Sequence, residues 1–216
     1  MFKRGLIRSF PIAIGYLPVA ITFGVSALAL GFSKVEVFLI SALIFAGASQ
    51  FALISLLPYS VIDAVSVALI LNLRHIIYSY IISQKFELKK PFITAFGLTD
   101  EVFASSIASE EMDEKYILGL EVGSYLSWIL GTLVGIFGGY ILLSNEILYP
   151  SLLFSLTALY FILLVPNLKK LGLSAILGGV IALVFYYFGY PSIGILVAGI
   201  LSPLVVLKIK NKNGIT

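Results

Sequence analysis

Three otherwise apolar stretches carry polar chemistry at their centres. The first reads Phe45-Ala46-Gly47-Ala48-Ser49-Gln50-Phe51, the second Asn72-Leu73-Arg74-His75 with Tyr78 one turn on, and the third Leu98-Thr99-Asp100-Glu101. A charged side chain at the centre of a membrane helix costs about 2.5–3.5 kcal/mol even on the lenient insertion scale. Arg74, Asp100 and Glu101 are therefore expected to face one another, a partner helix or a water-filled cavity. Arg74 neutralises one acid but hardly both, since Asp100 and Glu101 lie about 100° apart around a helix. The second acid is then a candidate to load and unload a proton, the behaviour of a coupling element in a transporter. The plainer reading is a structural ion pair, Arg74 with Asp100 or Glu101, joining two helices. His75 alone says little, because a buried histidine is often just hydrogen-bonded; its place beside Arg74 makes it a candidate.

These residues need membrane helices to position them. The 216 residues are 60% hydrophobic and 12% charged, with a mean hydropathy of +1.08, whereas a soluble domain carries roughly 25% charged residues. The apolar residues fall into runs of about 20, enough to cross roughly 30 Å of hydrocarbon as helix. A barrel would show alternating segments of about 10. The expected fold is all-α, a polytopic membrane helical bundle with about seven to eight hydrophobic segments, one or two of them broken or re-entrant, forming a single transmembrane domain over 1–216. The segments fall near 11–31, 36–58, 60–83, 92–109, 116–142, 149–167, 171–189 and 191–207. The first, preceded by Lys3, Arg4 and Arg8, is longer than a signal-peptide core and reads as a retained span.

Lys and Arg in short loops set orientation. Eight crossings with a cytoplasmic N-terminus place the loop of Lys85, Lys89 and Lys90 outside, against the rule; six crossings, with segment 2 and one later segment re-entrant, bring it inside. Both counts put the two termini in the cytoplasm. Pro18 and Gly47 are candidate helix breaks, since proline frees a carbonyl one turn earlier and glycine permits unwinding. The second half offers Pro166-Asn167, and no convincing internal repeat is visible. Gly119, Gly123, Ser127, Gly131, Gly135 and Gly139 recur every four residues, a small-residue stripe suited to close helix approach, either inside the chain or against another chain. With no cysteine and one histidine there is no ligand set for zinc, and no cofactor is expected. The basic residues flank apolar segments, so the net charge of +3 points to membrane orientation rather than to nucleic acid.

The chain resembles the AzlC-type branched-chain amino acid permease family, the large subunit of an exporter. The resemblance rests on Gly15-Tyr16-Leu17-Pro18 with Phe23-Gly24, Phe45 to Phe51, Asn72-Leu73-Arg74-His75-Ile76-Ile77-Tyr78 and Leu98-Thr99-Asp100-Glu101-Val102-Phe103, over about residues 10–165. It implies a secondary transporter that exports branched-chain or similar apolar amino acids across the cell membrane, with a small multi-spanning AzlD-type partner. A zwitterionic substrate needs a donor for its carboxylate, which Arg74 supplies, and an acceptor for its ammonium, Asp100 or Glu101. Ser49, Gln50, Asn72, His75, Tyr78 and Thr99 complete the candidate site, with Phe45, Phe51, Ile76 and Phe103 around the aliphatic side chain. The glycine stripe is a candidate docking face for the partner. Two other readings stand beside this one. A channel or non-transporting subunit should show polar residues along whole helices rather than at their centres. An intramembrane hydrolase would need Ser49 as nucleophile and His75 as base within hydrogen-bond reach.

Overall fold

Local signals explain where the helices start and stop. In a computed structural model that describes residues 1–144, 147–165 and 168–212, the order is α1 (Phe2–Arg8), α2 (Phe10–Ala29), α3 (Lys34–Leu43), α4 (Gly47–Leu56), α5 (Val61–Asn72), α6 (Arg74–Lys85), α7 (Pro91–Gly97), α8 (Asp100–Ala108), α9 (Glu114–Leu143), α10 (Leu148–Leu164), α11 (Leu168–Tyr187) and α12 (Pro191–Lys212). Proline near the start of α2 and α7 loses no helical hydrogen bond there. Ser33 and Glu36 form a reciprocal capping box that starts α3. Ser60 caps α5 and Thr99 caps α8, each accepting from the backbone N–H three residues on. Pro166-Asn167, the second-half breaker, lies outside the described residues, as does Asn145-Glu146.

Four helices are long and apolar enough to cross a membrane among the described residues: Phe10–Ala29, Val61–Lys85, Glu114–Gly139 and Ile193–Lys210. Val61–Lys85 joins α5 to α6 through Leu73, whose backbone stays in the right-handed helical region. Segments 2 and 4 of the sequence are not spans. Each is two short helices separated by a break, at Ile44–Ala46 and at Leu98–Thr99. The chain divides into two compact units, Met1–Leu159 and Tyr160–Thr216.

Contacts at the loops of the first unit fix the sense of each hairpin. At one end, Arg4 pairs with Glu111 at 3.0 Å, and the backbone N–H groups of Lys89 and Lys90 donate to the Glu114 carboxylate at 3.0 and 2.7 Å. Lys85 Nζ donates to the carbonyls of Ser106 and Ile107 at 3.0 Å each, and to that of Ser109. The N-terminus, the 85–90 loop and the start of α9 thus share one end of the unit, and the α7–α8 hairpin enters and leaves there. At the other end, Val37 of α3 and Ile54 of α4 share one buried cluster with Phe23 and Ala27 late in α2 and Ile136 late in α9. The α3–α4 hairpin therefore enters and leaves at that opposite end.

The pattern is a span followed by a hairpin entering from the end just reached, repeated once in the opposite sense: α2 then α3–α4, and α5–α6 then α7–α8. This is an inverted repeat of topology, which the sequence does not show because the paired pieces share polar midpoints but few residues. The two breaks meet in the middle, where Phe45 and Phe96 have ring centroids 6.5 Å apart.

The glycine stripe of α9 proves to be an internal contact. A Cβ at Gly119 would lie 2.2 Å from the Phe2 carbonyl oxygen, and one at Gly135 would lie 2.4 Å from that of Ile21. α1 and α2 cover the stripe by close backbone approach, the geometry that small residues at four-residue spacing allow. Its reading as a docking face for another chain is thereby corrected: no partner helix fits where α2 already lies.

Candidate functional site

At the first break the helix hydrogen-bond ladder stops, so carbonyl groups lose their partners. Gln50, fully buried, answers this from the first turn of α4. Its Nε2 donates to the carbonyl of Ile44, and its Oε1 accepts from Trp128 Nε1 of α9 at 3.1 Å. Next to it, Ser49 Oγ donates to Asn72 Oδ1 at 2.7 Å, tying α4 to the end of α5. Gly47 is the first residue of α4 rather than the break itself. Its lack of a side chain lets Trp128 lie on the break, since a Cβ there would be 2.8 Å from the indole ring.

At the second break Thr99 caps α8, and the acids Asp100 and Glu101 occupy its first turn, where the helix dipole favours negative charge. Arg74 NH1 meets Asp100 Oδ2 at 2.8 Å, and Tyr78 Oη donates to Asp100 Oδ1 at 2.7 Å. Tyr78 is held by stacking on Phe103, with centroids 4.3 Å apart. Glu101 takes a different partner. The Tyr16 hydroxyl donates to its carboxylate and lies 2.6 Å from Thr99 Oγ1. The two acids, one residue apart, are thus served by different helices, Asp100 by α6 and Glu101 by α2.

The ion pair leaves capacity unused. Arg74 Nε and His75 Nε2 are buried and have no hydrogen-bond partner. Arg74 engages Asp100 through one nitrogen although its planar fork can hold a carboxylate through two. Ser49 is bonded to Asn72 and not to His75, so the nucleophile–base pair of a hydrolase is not formed.

The candidate residues fall into three small networks: Gln50 with Trp128 and Ile44, Ser49 with Asn72, and Arg74, Tyr78 and Asp100 together. Tyr16 with Thr99 and Glu101 adds a fourth. They are close in space. Tyr16 makes edge-to-face contacts with Trp128 at 5.3 Å and with Phe45 at 6.2 Å, linking the second break to the first. Asn72 and Arg74 flank Leu73, linking α5 to α6. Pro18 lies within α2, which continues through it; the carbonyl of Pro18 accepts from Thr22 Oγ1 at 2.8 Å, and that hydroxyl also lies 2.7 Å from the Leu152 carbonyl of α10.

The central tie, Tyr16, was visible in the sequence only within the Gly15–Pro18 motif. Trp128 lies outside the polar midpoints, and its signal is that the chain's one tryptophan sits in the middle of a span, where an indole N–H needs a partner. Thr99 before two acids is a helix-start signal inside an apolar run, and it marks the second break.

Long apolar helices with two opposed broken hairpins define a helical multi-pass membrane protein. The comparisons give the family. Residues 11–142 match the AzlC protein family, and the chain belongs to it. Residues 147–212 match a second model, the MJ1155 family. An uncharacterised membrane protein of Archaeoglobus fulgidus is 52% identical over 206 residues, covering 95% of this chain and 94% of that one. The branched-chain amino acid transport protein AzlC of Bacillus subtilis is 27% identical over 178 residues, 78% of this chain and 68% of its own length. An uncharacterised protein of Methanocaldococcus jannaschii, MJ1155.2, is 65% identical over 68 residues, which is 31% of this chain but 93% of that protein. No solved structure matches the chain.

Proposed function

We propose that this chain, acting as one transporter domain over residues 1–216, is the large subunit of a secondary exporter. Its substrates are branched-chain or similar apolar amino acids, its partner is a small AzlD-type membrane subunit, and both of its termini lie in the cytoplasm. The name of the Bacillus subtilis relative supports the substrate class.

The observation that carries the reading is the Arg74–Asp100 pair beside the two breaks. An amino acid is itself a carboxylate and an ammonium. Its carboxylate replaces Asp100 on Arg74, and its ammonium takes the place of Arg74 on Asp100. No charge is then left unpaired at mid-membrane, which meets the large cost of an isolated buried ion. A hydrocarbon side chain suits the surrounding rings of Phe45, Phe51 and Phe103. Hairpins that open to opposite ends give each face its own gate, as alternating access requires. The orientation follows from charge. Lys3, Arg4, Arg8, Lys85, Lys89, Lys90 and Lys115 belong to the N-terminal end of the first unit, and basic residues in short loops favour the cytoplasm.

The test is efflux of labelled leucine, isoleucine or valine from cells expressing the chain with its partner. Arg74→Ala and Asp100→Asn are expected to abolish efflux and Glu101→Gln to reduce it. Wild-type efflux in Arg74→Ala and Glu101→Gln together would remove the site.

A further inference from the structure

One carboxyl takes no part in these networks. Glu121, on α9, is 5% exposed, and its Oε1 is buried without a hydrogen-bond partner. Its side chain lies flat against Gly97, the last residue of α7: a Cβ there would be 2.4 Å from Glu121 Cδ. Glu121 also lines a groove of about 170 Å³ with Phe45, Phe96 and Tyr125, so it lies against the α7–α8 hairpin beside its break and shares a groove with the aromatic rings that join the two hairpins.

Glu114, seven residues earlier on the same helix, makes the contrast. Its carboxylate accepts from the backbone of Lys89 and Lys90 and from Thr94 Oγ1 at 3.2 Å. That is the environment of a settled anion. Glu121 has none of it. Glu114, two turns back on the same helix, carries charge of the same sign. α7 carries no charged residue. The charged groups of α8 are committed elsewhere, Asp100 to Arg74 and Tyr78, Glu101 to Tyr16. Tyr16 of α2 serves Thr99 and Glu101, Tyr125 of α9 donates to the Ala42 carbonyl, and Arg4 of α1 is paired with Glu111; Lys3 and Arg8 of α1 make no ion pair with Glu121. A carboxylate without a donor or a cation in an apolar wall is strongly disfavoured.

We propose that Glu121 is a proton-binding site gated by the α7–α8 hairpin. Its carboxyl holds the proton while Gly97 lies on it. When the hairpin swings away, the carboxyl O–H bond is broken, water entering from that end accepts the proton, and the carboxylate is left hydrated. The step is a simple proton transfer, and its link to substrate movement rests on the exporter reading above.

The test reads the proton separately from transport. Purified protein in liposomes is treated with N,N′-dicyclohexylcarbodiimide, which adds to protonated carboxyls in apolar surroundings, and the modified peptide is located by mass spectrometry. Glu121 is expected to be modified at neutral pH and progressively less at alkaline pH, with Glu114 unmodified. In Glu121→Gln this modification disappears, together with an infrared carboxylic C=O band, while the variant remains monodisperse. The proposal is overturned if Glu121 is unmodified at every pH and the infrared spectrum of Glu121→Gln matches wild type. In efflux assays, wild type is expected to respond to an imposed pH gradient and Glu121→Gln to lose that response. If wild type moves no amino acid while the labelling behaves as stated, the exporter reading fails and the proton site stands.

Discussion

A methyl group added at Gly24 tests the packing that positions both hairpins. Its Cβ would meet the Thr132 carbonyl oxygen at 2.6 Å and the Gly135 Cα at 3.1 Å, and a Cβ at Gly135 would meet the Ile21 carbonyl oxygen at 2.4 Å and the Gly24 Cα at 3.0 Å. All four neighbours are backbone, so no side chain can swing aside. Ordinary contact needs about 3.5 Å, so α2 and α9 must part by roughly 1 Å. Overpacking of this kind costs about 1–3 kcal/mol, and replacing a helical glycine by alanine returns about 0.5–1 kcal/mol. With only backbone in the way the cost sits in the upper half of that range, so the expected net loss for Gly24→Ala or Gly135→Ala is about 1–2.5 kcal/mol. The double variant should lose less than the sum, because one displacement accommodates both methyls. Gly172 and Gly179 of α11 have nothing within 4 Å of an added Cβ and serve as controls, with alanine there neutral or stabilising. The assay is reversible unfolding by SDS in mixed micelles, followed by the fluorescence of the buried Trp128. If Gly24→Ala and Gly135→Ala unfold at the wild-type midpoint or above it, the close crossing of α2 and α9 is wrong.

Further outcomes follow from the same geometry. Arg74→Ala leaves Asp100 with only Tyr78; breaking a buried pair costs about 3–5 kcal/mol. Because the two side chains are 30% and 19% exposed, about 2 kcal/mol is expected, and Arg74→Ala/Asp100→Asn should recover part of it in the same unfolding assay. The absence of cysteine lets single thiols report sidedness. Cysteines at Lys3, Glu87 and Met112 should react with an impermeant maleimide from one face of oriented vesicles, and those at Lys34 and Tyr59 from the other. Residues 147–212, expressed alone, should insert and purify as a monodisperse helical protein, judged by circular dichroism and gel filtration. α11 and α12 pack on each other through Ser174 and Ser202, 3.1 Å apart, and the Methanocaldococcus jannaschii relative is a protein of nearly this extent.

The sequence carried the parts better than their arrangement. Apolar length gave α2 and α9, and the four-residue glycine period gave the close face of α9. The polar midpoints gave Gln50, Arg74, Asp100 and Glu101, since charge at that depth is costly wherever it points. Hydropathy hid the two breaks, because a re-entrant pair of short helices is as apolar as one span; Gly47 marked the first to within a residue, and Thr99 followed by two acids marks the helix start after the second. Pairing between distant segments was also hidden. Helix period says that Asp100 and Glu101 face different ways, but not that Arg74 would meet the first and Tyr16 the second. Glu121 carries no sequence signal of its own, because an acid near the start of a long helix, seven residues after Glu114, reads as part of the polar flank of a span. The sense of the two hairpins turned on loop contacts such as Arg4 with Glu111, which no local pattern encodes.

The account turns on two hairpins that enter from opposite faces and touch at mid-membrane. Phe45→Cys with Phe96→Cys places two thiols where those rings now lie 6.5 Å apart. In membranes, a short bifunctional methanethiosulfonate should link them within one chain, seen as a protease-resistant connection between the two peptides. Phe96→Cys paired with Tyr59→Cys, which lies at the outer end of the first hairpin where α4 leads into α5, should not link. Failure of the Phe45–Phe96 pair to link, with both thiols shown to react singly, would mean that the breaks do not meet and that no shared site exists between them.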